Sequence, residues 1–177
     1  MKTTFLQSLF KIALLFIGIA AGAGCDDSDK WDNMNEWNVP KGPDTPSYKI
    51  TGEETCWKLA NVVENGKLVK NMKEEGNYKE SKSFTLSFEG DGTFLKTGRY
   101  DGISSVNTLI GEYSTDSEEW AILLTEKCAT EVIESEFGSY YRMLLGKVKF
   151  WAYKDECFYL YFGNNSYLKY ELKSNTK

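Results

Sequence analysis

Between Thr55 and Leu172 the chain is cut into short apolar runs by glycine, asparagine and acidic turn residues. That rhythm constrains the fold more than any other feature. Phe84, Leu86 and Phe88 alternate with Thr85 and Ser87, the period of a strand with one buried and one wet face. Glu89-Gly90-Asp91-Gly92 follows as a hairpin signal, because glycine takes the positive-φ positions of tight turns at no steric cost. Reading the remaining runs in the same way predicts eight strands, at residues 55–63, 84–88, 93–99, 106–114, 120–125, 148–153, 157–162 and 166–172. The turns Glu64-Asn65-Gly66, Lys154-Asp155-Glu156 and Gly163-Asn164-Asn165 punctuate them, and a polar, lysine-rich loop is expected at residues 70–82.

One helix is predicted, over residues 130–145. Thr130 is placed to cap it, Glu131, Glu134 and Glu136 lie toward its positive end, and Gly146 ends it. Ile133, Phe137, Tyr140, Tyr141, Leu144 and Leu145 recur at three- and four-residue spacing, the stripe of a helix that packs on an apolar surface. The fold class expected is mostly β with one helix (α+β). Its architecture is a curled antiparallel sheet or incomplete barrel of about eight strands, with the helix between the fifth and sixth.

The N-terminus carries a different kind of signal. Lys2 and Lys11 bracket a positive start, residues 12–19 are apolar, and Ala20-Ala21-Gly22-Ala23-Gly24 leads into Cys25. This is the pattern of a bacterial lipoprotein signal, in which small residues fit a narrow peptidase groove and the cysteine thiol takes the lipid. Gly22 stands where this signal class has an aliphatic residue, so a simple secretory signal is the alternative. The apolar run is shorter than the ~20 residues needed to span a bilayer. The organisation expected is a signal peptide at 1–24, an acylated Cys25 heading a flexible acidic tether at 25–49, and one folded domain at 50–173.

Asp26, Asp27 and Asp29 follow the cysteine directly. They resemble the surface-export tag of Bacteroidetes lipoproteins, which implies an outer-membrane and cell-surface address; a solvated tether is the other reading. Residues 26–49 hold all three prolines, Pro40, Pro43 and Pro46, and show no periodicity, as expected of an unfolded segment. Trp31 and Trp37 stand out in it, either at the lipid headgroups or packed on the domain.

Composition removes several function classes. The whole chain has a net charge of −5, and loss of Lys2 and Lys11 with the signal leaves 19 basic residues against 26 acidic ones. Nucleic acid is therefore not the expected partner. There is no histidine, which takes away the commonest general base and the commonest metal ligand together. No metal or cofactor is expected. Cys56, Cys128 and Cys157 have spacings unlike those of zinc sites, and at most one disulfide can form among them. The carboxylate pairs Glu118/Glu119, Asp155/Glu156 and Glu134/Glu136 fall in predicted turns or on the wet side of the helix, where charge usually only solvates. Ser104, Ser105 and Ser139 have no histidine to activate them.

The aromatic residues offer the best binding candidate. On the seventh predicted strand, Phe158, Leu160 and Phe162 face the core while Tyr159 and Tyr161 face outward, beside Tyr167 or Tyr153. A row of Tyr159, Tyr161 and Tyr167 offers flat apolar faces with polar tips to a protein or glycan partner. The same row also serves as cross-strand packing that stabilises the sheet.

Several short motifs resemble the META domain (HslJ-like) family: Trp57-x-Leu59, Asn107-x-x-x-Gly111-x-Tyr113, Thr125-x-x-Cys128, Tyr141-x-x-x-Leu145-x-x-Val148, and the alternation of Phe158, Leu160 and Phe162. The likeness runs over residues 56–172. Gly102-Ile103-Ser104-Ser105 departs from the tighter loop the family has before the asparagine. The resemblance implies a small envelope-associated domain with no established enzymatic role. The function expected is a lipid-anchored interaction or assembly factor that is not an enzyme, touching the membrane through its acyl chains. The alternative is a lipocalin-like carrier of a small apolar ligand, although the Thr55-Cys56-Trp57 start and the interrupting helix differ from that pattern.

Overall fold

The computed structural model describes residues 37, 50–52, 55–72, 84–92, 94, 96–116, 120–130 and 132–173. The signal peptide, Cys25, the export-tag residues Asp26, Asp27 and Asp29, Trp31 and the Glu118/Glu119 pair lie outside the described residues.

Nine antiparallel strands form one curled sheet. They are β1 (Trp57–Glu64), β2 (Lys67–Asn71), β3 (Thr85–Phe88), β4 (Thr97–Ser104), β5 (Asn107–Asp116), β6 (Ala121–Ala129), β7 (Phe150–Lys154), β8 (Cys157–Gly163) and β9 (Ser166–Leu172), with one helix, α1 (Glu136–Leu145), between β6 and β7. Strands β3 to β9 follow one another in order, and β1 pairs with both β3 and β9, so the sheet curls into a ring. β2 folds back on the second half of β1 through Asn65-Gly66, both at positive φ. Register shifts in the β1–β2, β1–β9, β5–β6 and β8–β9 pairings mark the bulges that bend and twist strands enough to close such a curve. The β6–β7 seam is thin, with one ladder pair, Ala121 with Phe150, flanked by two further backbone hydrogen bonds.

The mostly β architecture expected from the sequence is the one observed, with differences of detail: β4 runs over Thr97–Ser104 in place of 93–99, and β6 extends to Ala129 in place of 125. A ninth strand, β2, takes the unassigned residues 67–69 and the first two of the stretch read as a polar loop. Its Lys67-Leu68-Val69 run is exposed, so it lacks the buried face that makes a strand legible. The helix consequently follows the sixth strand. It is also shorter than expected, because Ser135 and not Thr130 caps it: the Ser135 hydroxyl accepts from the Gly138 N–H at 2.9 Å. Thr130 is engaged elsewhere, donating to Asn107 Oδ1 at 2.8 Å and accepting from the Thr108 N–H. Ile133 therefore lies before the helix and is 95% exposed, and Phe137 is half-buried; the buried stripe is Tyr141, Leu144 and Leu145.

The inside of the ring is filled by rings. Trp57, Phe84, Phe88, Tyr100, Tyr113, Tyr141, Trp151, Phe158 and Tyr170 share one core, joined by Leu86, Leu109, Ile122, Leu160 and Leu168. On β4 and β5 two glycine–tyrosine pairs face each other in register, Gly98 with Tyr113 and Tyr100 with Gly111. Each tyrosine ring lies where a Cβ on its glycine would go, so Gly111 is kept bare by packing and not by turn geometry. Tyr113 then reaches across to donate to the Glu89 carbonyl at 2.7 Å.

Cys56 and Cys157 are both free thiols. β9 lies between β1 and β8, which places them across an intervening strand. Two strand spacings, ~10 Å, exceed the ~7 Å limit for a disulfide.

Burial makes several tyrosines reluctant to ionise. Tyr100 is pushed up to about 12 by burial, helped by the Glu126 charge, and burial drives Tyr141, Tyr161 and Tyr170 upward as well. The Tyr141 and Tyr170 hydroxyls meet at 3.0 Å. A folded pKa raised above the unfolded value of about 10 gives stability that is complete below pH ~10 and lost as pH rises through the folded value. In an alkaline titration followed by tyrosinate absorbance, only part of the eleven tyrosines should ionise near pH 10, the rest appearing together with loss of near-ultraviolet circular dichroism. Full ionisation near pH 10 with the fold intact would show that these rings are solvated.

Candidate functional site

Tyr159, Tyr161 and Tyr167 come together on the outside of the ring, as their alternation predicts. Tyr161 lies opposite Tyr167 in the β8–β9 ladder and Tyr159 lies opposite Lys169. Ring centroids are 5.5 Å apart for Tyr159–Tyr167, 5.5 Å for Tyr161–Tyr167 and 6.4 Å for Tyr159–Tyr161. The Lys169 ammonium sits 5.9 Å from the Tyr159 ring, within cation–π range. Tyr153, the other neighbour considered, packs with the inner core, 6.2 Å from the Trp57 ring. Tyr159 and Tyr167 are half-buried, whereas Tyr161 is only 5% exposed and so is less open than an outward row requires.

What covers Tyr161 is a second apolar cluster, separate from the core inside the ring. Ala121, Phe150 and Ala152 are fully buried although they lie on the outer face of β6 and β7. β7 alternates, with Phe150 and Ala152 outward and Trp151 inward, so its outer face is as apolar as its inner one. Two alanines beside Phe150 leave a shallow floor walled by the tyrosines. Trp37 is seated there, its ring 5.2 Å from Phe150 and edge-on at 85°. Of the two readings for Trp37, packing on the domain is the one observed. Ala121 and Ala152 are the part not singled out from sequence; for Ala152 the signal available is the apolar residue at every position of residues 150–153.

A second, polar cluster joins the helix to the sheet. Asn107 is fully buried and uses its whole amide: Nδ2 donates to the Val132 carbonyl at 3.0 Å and to Glu134 Oε2 at 2.8 Å, and Oδ1 accepts from Thr130 Oγ1 at 2.8 Å and the Val132 N–H at 3.0 Å. Ser104 donates to the same Glu134 oxygen at 3.1 Å, and Arg142 lies 3.9 Å from it. Glu134 was expected on the wet side of the helix. Its side chain is instead only 7% exposed, because the chain before the helix runs extended and turns this carboxylate inward. The Ser104 hydroxyl is shared between Glu134 Oε2 and the Gly138 carbonyl at 3.2 Å, which ties the loop to the helix, while Glu134 Oε1 is buried without a hydrogen-bond partner. Asp155 and Glu156 are exposed turn residues, as expected, both at positive φ.

Among the described residues no group of three or more metal-ligating side chains converges. Grooves of about 500 Å³ by Ser87, Arg99 and Asp101, and about 610 Å³ by Tyr153, Asp155 and Glu171, open at the surface. The ring's interior carries the aromatic core.

No family model matches the chain, and no curated protein matches it. Two solved structures are similar in fold. A DUF4847 family protein from Bacteroides vulgatus is 13% identical with a TM-score of 0.48, covering 67% of this chain and 92% of its own. A protein from Burkholderia xenovorans, solved by NMR, is 16% identical with a TM-score of 0.52, covering 77% of this chain and all of its own. Neither bears on the META resemblance. The residues that carry that resemblance have structural work here: Trp57 donates to the Ile50 carbonyl, Asn107 holds the helix approach, and Gly111 makes room for Tyr100.

Proposed function

We propose that this chain is a META-like, outer-membrane lipoprotein, held by acyl chains on Cys25 and carried to the cell surface by its acidic tag. Its β domain acts by binding a partner and not by catalysis. The observation that supports binding is the outer aromatic face: Phe150, Tyr159, Tyr161 and Tyr167 gather outside the ring, where a sheet is ordinarily wet. Large exposed or thinly covered apolar patches rimmed by polar groups mark interaction sites.

Two measurements test the two halves of this reading. Mass spectrometry of the protein from membranes should find acylated Cys25 as the N-terminus, and Cys25→Ser should release it into the soluble fraction; an unmodified N-terminus elsewhere sinks the anchor. For the face, the double variant Tyr159→Ser, Tyr167→Ser should melt within about 2 kcal/mol of the parent, since both rings are half-buried. It should also lose retention of envelope proteins and glycans on the immobilised domain. Unchanged retention in a folded variant refutes the face.

A further inference from the structure

The outer face already holds a ring, and that ring belongs to the chain itself. Trp37 packs against the cluster of Ala121, Phe150, Ala152 and Tyr161 from thirteen positions before Ile50, the next residue described. We infer that Trp37 is a built-in occupant of a ligand seat, and that the external ligand of this face is a polypeptide segment presenting a tryptophan, which binds by taking Trp37's place. This rests on the reading of the outer face as the binding surface and names its partner class.

Three features of the seat support it. Two alanines lie beside the aromatic rings of the cluster, and Trp37 packs against it. The indole stands edge-on to Phe150, the geometry in which the positive edge of one ring meets the negative face of another. A pyranose stacks face-on on an exposed ring, whereas Phe150, the ring that Trp37 meets at 85°, is fully buried and offers no open face. The seat therefore suits an indole better than a sugar. Removing Trp37 also leaves Phe150 and Tyr161 uncovered, an apolar patch that favours a replacement ring.

The probe is a fluorescent peptide of the chain's own residues 34–43, which holds Trp37 as its one tryptophan, measured by anisotropy against the full-length protein. The Trp37→Ala protein should bind it about tenfold or more tightly than the parent does, because the intramolecular competitor is gone. The Trp37→Phe protein should stay blocked, and a peptide carrying Trp37→Ala should not bind. Should Trp37→Ala fail to fold by circular dichroism, Trp37→Leu, which keeps bulk without a ring edge, takes its place. Equal affinity for parent and variant, or equal binding of the tryptophan-free peptide, overturns the inference. Soluble oligosaccharides binding the Trp37→Ala protein more tightly than the peptide also overturns it, while leaving the outer face as a binding surface. Unchanged retention by the folded Tyr159→Ser, Tyr167→Ser double variant would instead refute the face itself, so the two failures are separable.

Discussion

Asn107→Ala should lower the unfolding free energy by on the order of 3–5 kcal/mol, a larger loss than one side-chain amide ordinarily carries. The reason is the number of partners it would strand. A buried polar group left unsatisfied costs about 1–3 kcal/mol, and more when charged. Without the amide, the Val132 N–H and carbonyl, the Thr130 hydroxyl and the Glu134 carboxylate each lose a bond, and the carboxylate, only 7% exposed, is the one that water replaces least well. Urea denaturation followed by tryptophan fluorescence measures the change, and a loss below about 1 kcal/mol would mean that water replaces the amide. Asn107→Asp supplies the sharper test. It keeps Oδ1 but replaces the donor, 2.8 Å from Glu134, with a second carboxylate. Like charges at that distance raise the folded pKa of the pair. Stability is then fully present only at acid pH and is lost as pH rises, the reverse of ordinary acid denaturation. Glu134→Gln combined with Asn107→Asp should recover part of the loss near neutral pH.

Asn107 also shows where sequence reading stops. It was legible as part of a motif, Asn107-x-x-x-Gly111-x-Tyr113, but its role was not, because its partners lie 23 to 27 positions away in the stretch that leads to α1. Local pattern assigned that stretch to the helix. Ile133 and Glu134 do fall at helical spacing, and only the rival cap at Ser135 and the pull of Asn107 on Val132 make it extended. Strands with one buried face were read well: Phe84, Leu86 and Phe88 all turn inward, as do Phe158 and Leu160. β2 was missed because its side chains are mostly exposed, so no alternation records its pairing with β1.

The outer face divides in the same way. The tyrosine row followed from period-two alternation within β8 and β9, which a single strand reveals. Its depth did not follow, because Tyr161 is covered by Phe150 and Ala152 of β7 and by Trp37, and sheet order is invisible in one strand's pattern. Trp37 precedes all three prolines in a stretch without periodicity. Composition gives no reason to place a residue of such a segment in a core, yet Trp37 packs on the outer cluster, where burying an indole is favourable.

The inner counterpart of that face sets the second large effect. Phe158 is fully buried and touches five rings, Trp57 at 5.4 Å, Phe88 at 5.6 Å, Tyr170 at 5.9 Å, Phe94 at 6.0 Å and Trp151 at 6.4 Å. These come from β1, β3, β7, β9 and the connection between β3 and β4, so the ring ties distant parts of the curled sheet together by packing. Phe158→Ala removes the transfer energy of the ring and leaves a void that aromatic neighbours, stiff and interlocked, fill poorly. The expected cost is about 3–5 kcal/mol, or a fall in melting temperature of roughly 10–20 °C. Phe158→Leu, which keeps most of the volume, should cost less than half as much. Phe158 and Tyr159 are adjacent but point to opposite faces, so Phe158→Leu should leave ligand retention on the outer face unchanged while Tyr159→Ser reduces it with little change in melting. Equal effects of both substitutions on melting would mean that the outer tyrosines belong to the structural core, and the sheet would then have no face to spare for a partner.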